Sequence, residues 1–261
     1  MSGILLNFVE KSETMTVLTA ADYADTGQWR LIVKIHPSGM SAHLENTIHG
    51  DVEPQELFST SWDNDPDNLL RNIENAVYDH PRVLDDFSAR IIIFDRKTLF
   101  MPTALLEDTD SAESAFYTAL YQADEADVMY DTDKDITAAF HLAPGLKGFI
   151  NRTFPGARVG CNLMQAVARQ RHSGEGHRLF ISVRDGEADY VLLNGEALVS
   201  ASTHSWAAGS DIAYHAFNLF NVYGVNPKEA EVELEGIPVP ADAAEAFTVF
   251  SNIRVTDNKP E

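Results

Sequence analysis

A strand–turn–strand pattern that occurs twice is the feature that most constrains the fold. Residues 30–50 read RLIVKIHPSGMSAHLENTIHG, and residues 178–200 read RLFISVRDGEADYVLLNGEALVS. In each stretch Arg-Leu opens an apolar run, a turn with glycine breaks it, and a second extended run and a third short one follow. The repetition predicts two copies of one supersecondary unit.

Apolar–polar alternation predicts further strands along the chain. The predicted strands lie at 30–36, 40–45, 90–94, 126–131, 136–142, 178–184, 188–193 and 197–203. Helical spacing predicts amphipathic helices at 66–80, 110–123 and 209–224, with shorter helices at 144–154 and 161–172. Each half then has three short strands, an amphipathic helix and a returning strand, at 90–94 or 231–240.

This order of elements predicts an α/β fold. Three antiparallel strands followed by a helix and a returning strand give a mixed sheet with helices packed against it. Two such sheets from a duplicated unit would face each other across a cleft. We expect an N-terminal extension, two lobes that meet at the proline and glycines near residue 143, and a polar tail. The corresponding ranges are 1–27, 28–143, 144–250 and 251–261.

Charge and cysteine content narrow the range of partners and locations. The chain has 40 Asp and Glu against 19 Lys and Arg, a net charge of -21. Such a surface repels phosphate backbones and anionic lipids, so neither nucleic acid nor membrane insertion is expected. The apolar N-terminal run is too short for a signal peptide, which predicts a cytoplasmic location. The single cysteine, Cys161, is predicted to be a buried apolar side chain.

The duplicated pattern resembles the actin-like ATPase fold, which sugar kinases, Hsp70 and actin share. Over about residues 28–250, the order of segments is similar to an uncharacterised bacterial family with domain of unknown function 3822. The segments include FP before a helix, DGEADYVLLNGEALVSAST and LEGIPVP. The resemblance implies a fold but no activity, because a fold does not determine function.

The resemblance also implies where nucleotide chemistry would lie. In active members two hairpins hold the ATP phosphates, each with an Asp-x-Gly whose carboxylate positions hydrated magnesium and whose glycine admits backbone amides. In the first hairpin His36 stands where the aspartate aligns, and imidazole is a poor magnesium ligand. Ser38 and Gly39 keep the turn, which turn formation alone explains.

The second hairpin and the adenosine loop match the pattern in part. Asp185 and Gly186 are adjacent instead of one residue apart, and Asp-Gly is also a strong signal for a tight hairpin turn. Arg184 could contact an anion. Gly236 lies where a glycine pair contacts adenosine, but Ile237 follows it and is expected to crowd a nucleoside. The candidate phosphate and adenosine positions, vestigial or substituted, are Ser38, Gly39, Arg184, Asp185, Gly186 and Gly236.

Two hypotheses for function follow. The favoured one is a non-catalytic binding or scaffolding module that has lost ATPase chemistry and acts with an unidentified protein partner, without a cofactor. The alternative is an ATP-binding protein or ATPase that uses ATP with magnesium, with Asp185 for the metal and the amides around Gly39 and Gly186 for the phosphates. It predicts that Lys34 or Arg184 faces the cleft. A small organic ligand bound between the lobes is a third reading.

No separate metal site is predicted. Asp63, Asp65, Asp67 and Glu74 have the spacing of an EF-hand loop, but Asn68 stands where that loop needs glycine. The same stretch is explained by an acidic helix start, in which Asp65 caps the helix and a proline occupies its first turn.

Overall fold

The computed structural model describes residues 25–49, 52–107, 118, 120–122, 124–171, 175–184, 186–236, 247 and 252–257. Its strands are β1 (Trp29–His36), β2 (Gly39–Asn46), β3 (Gln55–Ser61), β4 (Ala89–Phe94), β5 (Leu99–Pro102), β6 (Val128–Asp133), β7 (Ile136–His141), β8 (Arg158–Cys161), β9 (His177–Arg184), β10 (Glu187–Asn194), β11 (Ala197–Ser205), β12 (Glu231–Gly236) and β13 (Asn252–Asp257). Its helices are α1 (Leu69–Asp79), α2 (Ala104–Glu107), α3 (Leu146–Thr153), α4 (Asn162–Gln170) and α5 (Gly209–Tyr223).

Two five-stranded mixed sheets have the same topology. The first has the order β3-β2-β1-β4-β8 and the second the order β11-β10-β9-β12-β13. In both, the first three strands of the unit are antiparallel neighbours, and the fourth and fifth join in parallel on the other side of the first. The third strand is followed by a helix, α1 or α5, before the chain returns to the sheet. The duplication and the α/β fold class that the sequence predicts are therefore confirmed.

A three-stranded antiparallel sheet, β5-β7-β6, interrupts the first unit between β4 and α3. After this insertion the chain returns through α3 to β8, which pairs with β4. The first sheet thus extends past the boundary expected near residue 143, and the connection between the two sheets is α4. The division of the chain into two lobes stays a prediction, but residue 143 does not separate the sheets.

One apolar core contains residues from both sheets. The strand β1 is buried along most of its length, and its residues Leu31, Val33 and Ile35 belong to the same cluster as residues of α1, α3 and α4. The same cluster includes Phe180 and Val191 of the second sheet. A second cluster fills the space between that sheet and α5. Because the first core crosses from one sheet to the other, the ends of β1 and β9 are positioned by shared packing.

Helix boundaries follow the local signals that the sequence carries. The Asp65 carboxylate accepts hydrogen bonds from the Asp67 amide, at 3.0 Å, and from the Asn68 side chain, at 2.6 Å. It thereby caps a short 3-10 turn that leads into α1, as predicted. The helix α5 ends at Gly224, whose φ of 66° is the left-handed conformation of a helix C-cap.

The remaining sequence predictions divide into short strands that were missed and segments that lie outside the described residues. The strands β5 and β8 were not predicted, because four residues are too few to show an alternating pattern. The strand β3 was also missed, and residues 252–257 of the predicted polar tail form the strand β13 instead. Most of the helix predicted at 110–123 lies outside the described residues, as do residues 1–24 of the extension. Within the described ranges, no helix has the length and apolar character needed to cross a bilayer.

The prediction that Cys161 is a buried apolar side chain is confirmed. It is completely buried at the end of β8, and burial raises the pKa of its thiol to about 12. Thiolate is the reactive form of cysteine, so the native protein is expected to be inert to thiol reagents at neutral pH. Mass spectrometry after treatment with an alkylating reagent checks this. We expect no adduct on the native chain and one adduct after unfolding in guanidinium, whereas an adduct on the native chain would contradict the burial.

Candidate functional site

The two hairpins begin at equivalent positions, where β1 ends at His36 and β9 ends at Arg184. The turn of the first hairpin closes on itself. The His36 ring Nδ1 accepts a hydrogen bond from the Ser38 amide at 3.1 Å and lies 2.7 Å from the Ser38 hydroxyl. A phosphate-binding hairpin offers its backbone amides to the ligand, but here the Ser38 amide already has a partner.

A tryptophan holds each turn from the same place in its unit. Trp62 follows β3, and its indole Nε1 donates to the Pro37 carbonyl at 2.9 Å. Trp206 follows β11, and its Nε1 donates to the carbonyls of Arg184 and Glu187, each at 3.0 Å. The main-chain amides of the two tryptophans donate to carbonyls within the same two turns. Equivalent hydrogen bonds therefore fix the two turns, and these bonds are made within the protein itself.

An ion pair joins the two units between these turns. Asp95 follows β4 of the first sheet, and its carboxylate is paired with the Arg184 guanidinium at the end of β9. The same carboxylate lies 3.5 Å from Nε2 of His36. Arg184 also reaches Glu187, at 3.9 Å, and Asp189, at 2.9 Å. One guanidinium thus contacts three carboxylates from both sheets.

Asp189 is the buried end of this cluster. Its side chain is 6% exposed, and it accepts hydrogen bonds from Asn162 at 3.0 Å and Thr203 at 2.5 Å in addition to Arg184. Burial raises the pKa of the Asp189 carboxyl, and the neighbouring Arg184 opposes that shift. A buried carboxylate needs such partners to remain charged. Asp189 therefore holds the Arg184 guanidinium in place from the buried side of the cluster.

The Asp95–Arg184 ion pair lies between two cavities, and Asp95 lines both of them. The first, the α4 cavity, has a volume of about 560 Å³ and is bordered by β1, β9 and α4. The second, the turn cavity, has a volume of about 630 Å³ and is bordered by Pro37, Glu187 and Pro144. The Asp95 carboxylate therefore borders both cavities.

Charges of both signs line the α4 cavity. Lys34, Arg169 and Arg184 provide its cations. Arg169 is paired with Glu235 at 3.3 Å, and Arg184 is paired with Asp95. Two of these cations therefore already contact carboxylates of the same cavity. His43 also lines it, and burial together with Lys34 lowers the pKa of His43 to about 4, so its ring is neutral at pH 7.

The predicted site residues are placed as follows. Ser38, Gly39, Arg184 and Gly186 lie in the two hairpin turns or at their edges, while Asp185 lies outside the described residues. Gly186 has a φ of 71°, which its turn requires whether or not a phosphate binds. A Cβ at Gly39 would lie 2.8 Å from the Thr60 carbonyl oxygen, so strand packing explains this glycine.

Gly236 also has a packing reason. It ends β12, where it is the register partner of Val183 on β9. A Cβ at this position would lie 2.7 Å from the Val183 Cβ and 2.9 Å from the Val183 carbonyl oxygen. Close approach of two strands is thus sufficient to require glycine, and an adenosine contact need not be invoked.

Sequence reasoning missed Asp95 and the two tryptophans. Asp95 is an acidic residue directly after a strongly apolar strand, which is a common place for functional side chains in an open α/β sheet. Trp62 and Trp206 are each preceded by serine, and this Ser-Trp pair is a second echo between the units. Comparison of the ends of the third strands would have found it.

Comparisons with known proteins agree with the duplicated topology. A family model described as protein of unknown function, DUF3822, matches residues 19–248. The chain belongs to this family. No curated protein matches the sequence.

Solved structures place this DUF3822 chain in a broader fold group. It is similar to a Bacteroides thetaiotaomicron protein with an actin-like ATPase fold and unknown function, with 18% identity, a TM-score of 0.72, and coverage of 90% of this chain and 93% of the other. It is also similar to the PilM-PilN type IV pilus biogenesis complex, with 11% identity, a TM-score of 0.51 and 88% coverage of each chain. The fold is therefore that of the actin-like ATPases.

The described residues of this site do not fit the magnesium ion that this fold group implies. Ligand atoms of His36, Asp95 and Glu187 lie within 4.8 Å of one another. However, the Arg184 guanidinium is paired with both of these carboxylates and supplies the positive charge that a metal would supply. Binding a divalent cation there would bring it against a fixed guanidinium, and the one imidazole is a poor substitute for an oxygen ligand.

The packing explanation of Gly236 can be tested with Gly236→Ala. We expect the variant to lose about 2 kcal/mol of unfolding free energy without any ligand, because the new Cβ overlaps Val183. Thermal unfolding checks this, with a midpoint about 5 °C lower. Gly148→Ala is the matched control: it lies within α3, and only the mobile end of Arg152 is near. An unchanged midpoint for Gly236→Ala would contradict strand packing as the reason for this glycine.

The role of Arg184 can be tested with Arg184→Met. The substitution leaves Asp95 and Asp189 without their cation, and we expect a loss of about 2 kcal/mol, less than for a fully buried pair because Arg184 is 27% exposed. Denaturant unfolding measures it. A second change, Asp189→Asn, removes the buried charge and is expected to cost less in the Arg184→Met background than alone. Additive effects would show that the two residues are not coupled.

Proposed function

We propose that this protein is a non-catalytic binding or scaffolding module built on an actin-like ATPase fold. The observation that carries the proposal is the Asp95–Arg184 ion pair, which connects the two sheets between the hairpin turns. A phosphate chain held by both hairpins would need the space and the hydrogen-bond donors that this pair uses. The cleft of this protein is thus occupied by its own side chains.

Three further contacts support the proposal. His36 replaces the carboxylate that would position magnesium, and its ring accepts the Ser38 amide that would otherwise be available to a phosphate. Two tryptophan side chains hold the turns in their present conformation. Each contact substitutes an internal partner for a ligand, which stabilises the fold without nucleotide.

A scaffold of this fold needs a protein partner instead of a substrate. The PilM protein, which has a similar fold, is present in its structure as a complex with PilN. This precedent shows that an actin-like fold can belong to a protein complex, and it supports a partner for the present chain.

One observation favours the second candidate, an ATP-binding protein. Lys34 and Arg184 both line the α4 cavity, together with Arg169, which is the basic lining that nucleotide binding predicts. In this arrangement a polyphosphate would have to displace Asp95 from Arg184 or Glu235 from Arg169. The displaced carboxylates would then lie next to the phosphates, which weakens this candidate.

Thermal unfolding with and without millimolar ATP and magnesium separates the two candidates. A ligand that binds only the native state raises the midpoint, by the equivalent of about 2.7 kcal/mol at a hundred times its dissociation constant. We expect no magnesium-dependent rise and no ATP turnover above background.

Two variants show whether a rise in the unfolding midpoint comes from nucleotide bound at the hairpins. A magnesium-dependent rise that Asp185→Ala abolishes, and that the exposed control Glu56→Ala on β3 retains, would establish nucleotide binding and overturn the proposal. A rise without turnover would leave a nucleotide-gated binding protein, and turnover with the same dependence on Asp185 would make it an ATPase.

A further inference from the structure

Two edge strands from different sheets line one groove. The groove has a volume of about 660 Å³ and is lined by the consecutive residues 197–203 of β11 and 99–102 of β5. Both strands lie at the end of their sheet. Successive side chains of a strand point to opposite faces, so a cavity lined by every residue in turn must run along the edge of the strand. We call this space the edge groove.

The two strands run in opposite directions along the edge groove. At one end, Arg171 donates to the Glu196 carbonyl at 2.9 Å and to the Asp135 carboxylate at 2.6 Å. Glu196 directly precedes β11, and Asp135 precedes the residue of β7 that pairs with the last residue of β5. At the other end, Lys97 and Thr203 both line the turn cavity. The start of β11 therefore lies opposite the end of β5.

The backbone groups along both edges have no second strand as a partner. In the part of the chain that the structure describes, β11 pairs with β10 alone and β5 pairs with β7 alone. Each edge strand presents half of its N–H and C=O groups away from its neighbour, as a template for another strand. The edge groove thus has such groups on both of its walls.

These two edges differ from the other described edges in charge. Proteins commonly place charged residues on an exposed edge to prevent pairing with another chain, and they also use very short edge strands and proline. The other described edge strands carry Glu56 on β3, Asp133 on β6, Arg158 on β8, and Arg254 on β13. The strands β5 (LFMP) and β11 (ALVSASTHS) have no Asp, Glu, Lys or Arg, and β5 is only four residues long and ends on Pro102. The long edge strand without a charge, β11, therefore faces the other uncharged edge.

The duplication supplies an internal comparison. By topology β3 and β11 are equivalent, each the third strand of its unit and each at the edge of its sheet. The strand β3 carries Glu56, whereas β11 is two residues longer and carries small, hydroxyl and aliphatic side chains together with one histidine. A strand of nine residues without a charge is longer than most edge strands, so the difference belongs to β11 and not to the fold.

We propose that the edge groove binds an extended segment of a partner protein, which adds as a strand between β5 and β11. Backbone hydrogen bonds to both walls would hold it, and its central residues would be uncharged, to match the lining of Leu99, Met101, Leu198 and Ser200. Asp135 and Glu196 lie at one end of the groove and are 75% and 74% exposed, and each also contacts a cation of the chain, Asp135 with Arg171 and Glu196 with Lys134. The net charge of -21 favours a bound segment that carries Lys or Arg where it leaves the groove at that end.

This inference rests on the proposed function, in that a binding module needs a surface for its partner, but the edge groove is a different place from the cleft. The ATP experiment tests the cleft and the following experiment tests the groove, so either can fail alone. A phage-displayed library of random linear peptides is selected against the full chain, with the Ser200→Lys variant used to remove peptides that bind elsewhere. Ser59→Lys on β3 is the matched control, because it places the same charge on the equivalent edge.

The recovered peptides are synthesised with and without N-methyl groups on alternate amides. Removal of backbone hydrogen bonds is expected to weaken binding by at least about tenfold when several bonds are lost. We expect an equal loss with Ser200→Lys, none with Ser59→Lys, and peptides with an uncharged centre and a basic end. Hydrogen exchange of the free chain is expected to show rapid exchange at alternate amides of β11.

Several results would overturn the proposal. One is a selection in which the full chain enriches no peptides that the Ser200→Lys variant fails to bind. Another is peptide binding that N-methylation leaves unchanged. Slow exchange along all of β11 in the free chain would show that a segment of the same chain already covers the edge. Concentration-dependent dimerisation that Ser200→Lys abolishes and Ser59→Lys retains would identify a second copy as the occupant.

Discussion

The contacts of the Arg184 guanidinium with carboxylates from both sheets are the constraint on which the rest of the structure depends. Arg184 ends the first strand of the second unit, and Asp95 follows the fourth strand of the first. Asp189 fixes the guanidinium from the buried side, where Asn162 and Thr203 satisfy its oxygens. A buried carboxylate is costly alone, so Asp189 keeps the partly buried guanidinium in place, and the contact of Arg184 with Asp95 connects the second hairpin to the first unit.

Under the proposed function, this constraint takes the place of the chemistry that is usual for the fold. In an ATPase of this group, the hairpin amides, a carboxylate and the ligand satisfy one another. Here the Ser38 amide donates to His36, the turn carbonyls accept from Trp62 and Trp206, and Asp95 is neutralised by Arg184. These groups, which would otherwise contact a phosphate or a metal, have internal partners among the described residues. Internal pairing reduces the cost of leaving polar groups unpaired in a partly buried site.

The sequence predicted the duplicated unit because strand alternation and helical spacing are local signals, and the paired echo at residues 30–50 and 178–200 carries them. It also identified Arg184 as a residue that could contact an anion. In the structure the anions that Arg184 contacts are carboxylates of the protein itself. Asp95 could not be placed from the sequence, because its importance depends on a contact with a residue 89 positions away (184 minus 95). The same holds for the edge groove, whose walls come from an insertion in one unit and the third strand of the other.

The two units can be compared at equivalent positions. Duplication starts from two equal copies, so differences between equivalent positions reflect later change. At the first-strand ends the copies differ in a way that closes the cleft, with His36 in one and Arg184 in the other. At the third strands they differ in a way that opens an edge, with Glu56 on β3 and no charge on β11. The equivalent positions thus differ both where a nucleotide would bind and where a polypeptide could pair. Under the two proposals made above, these differences favour recognition of a protein segment over catalysis.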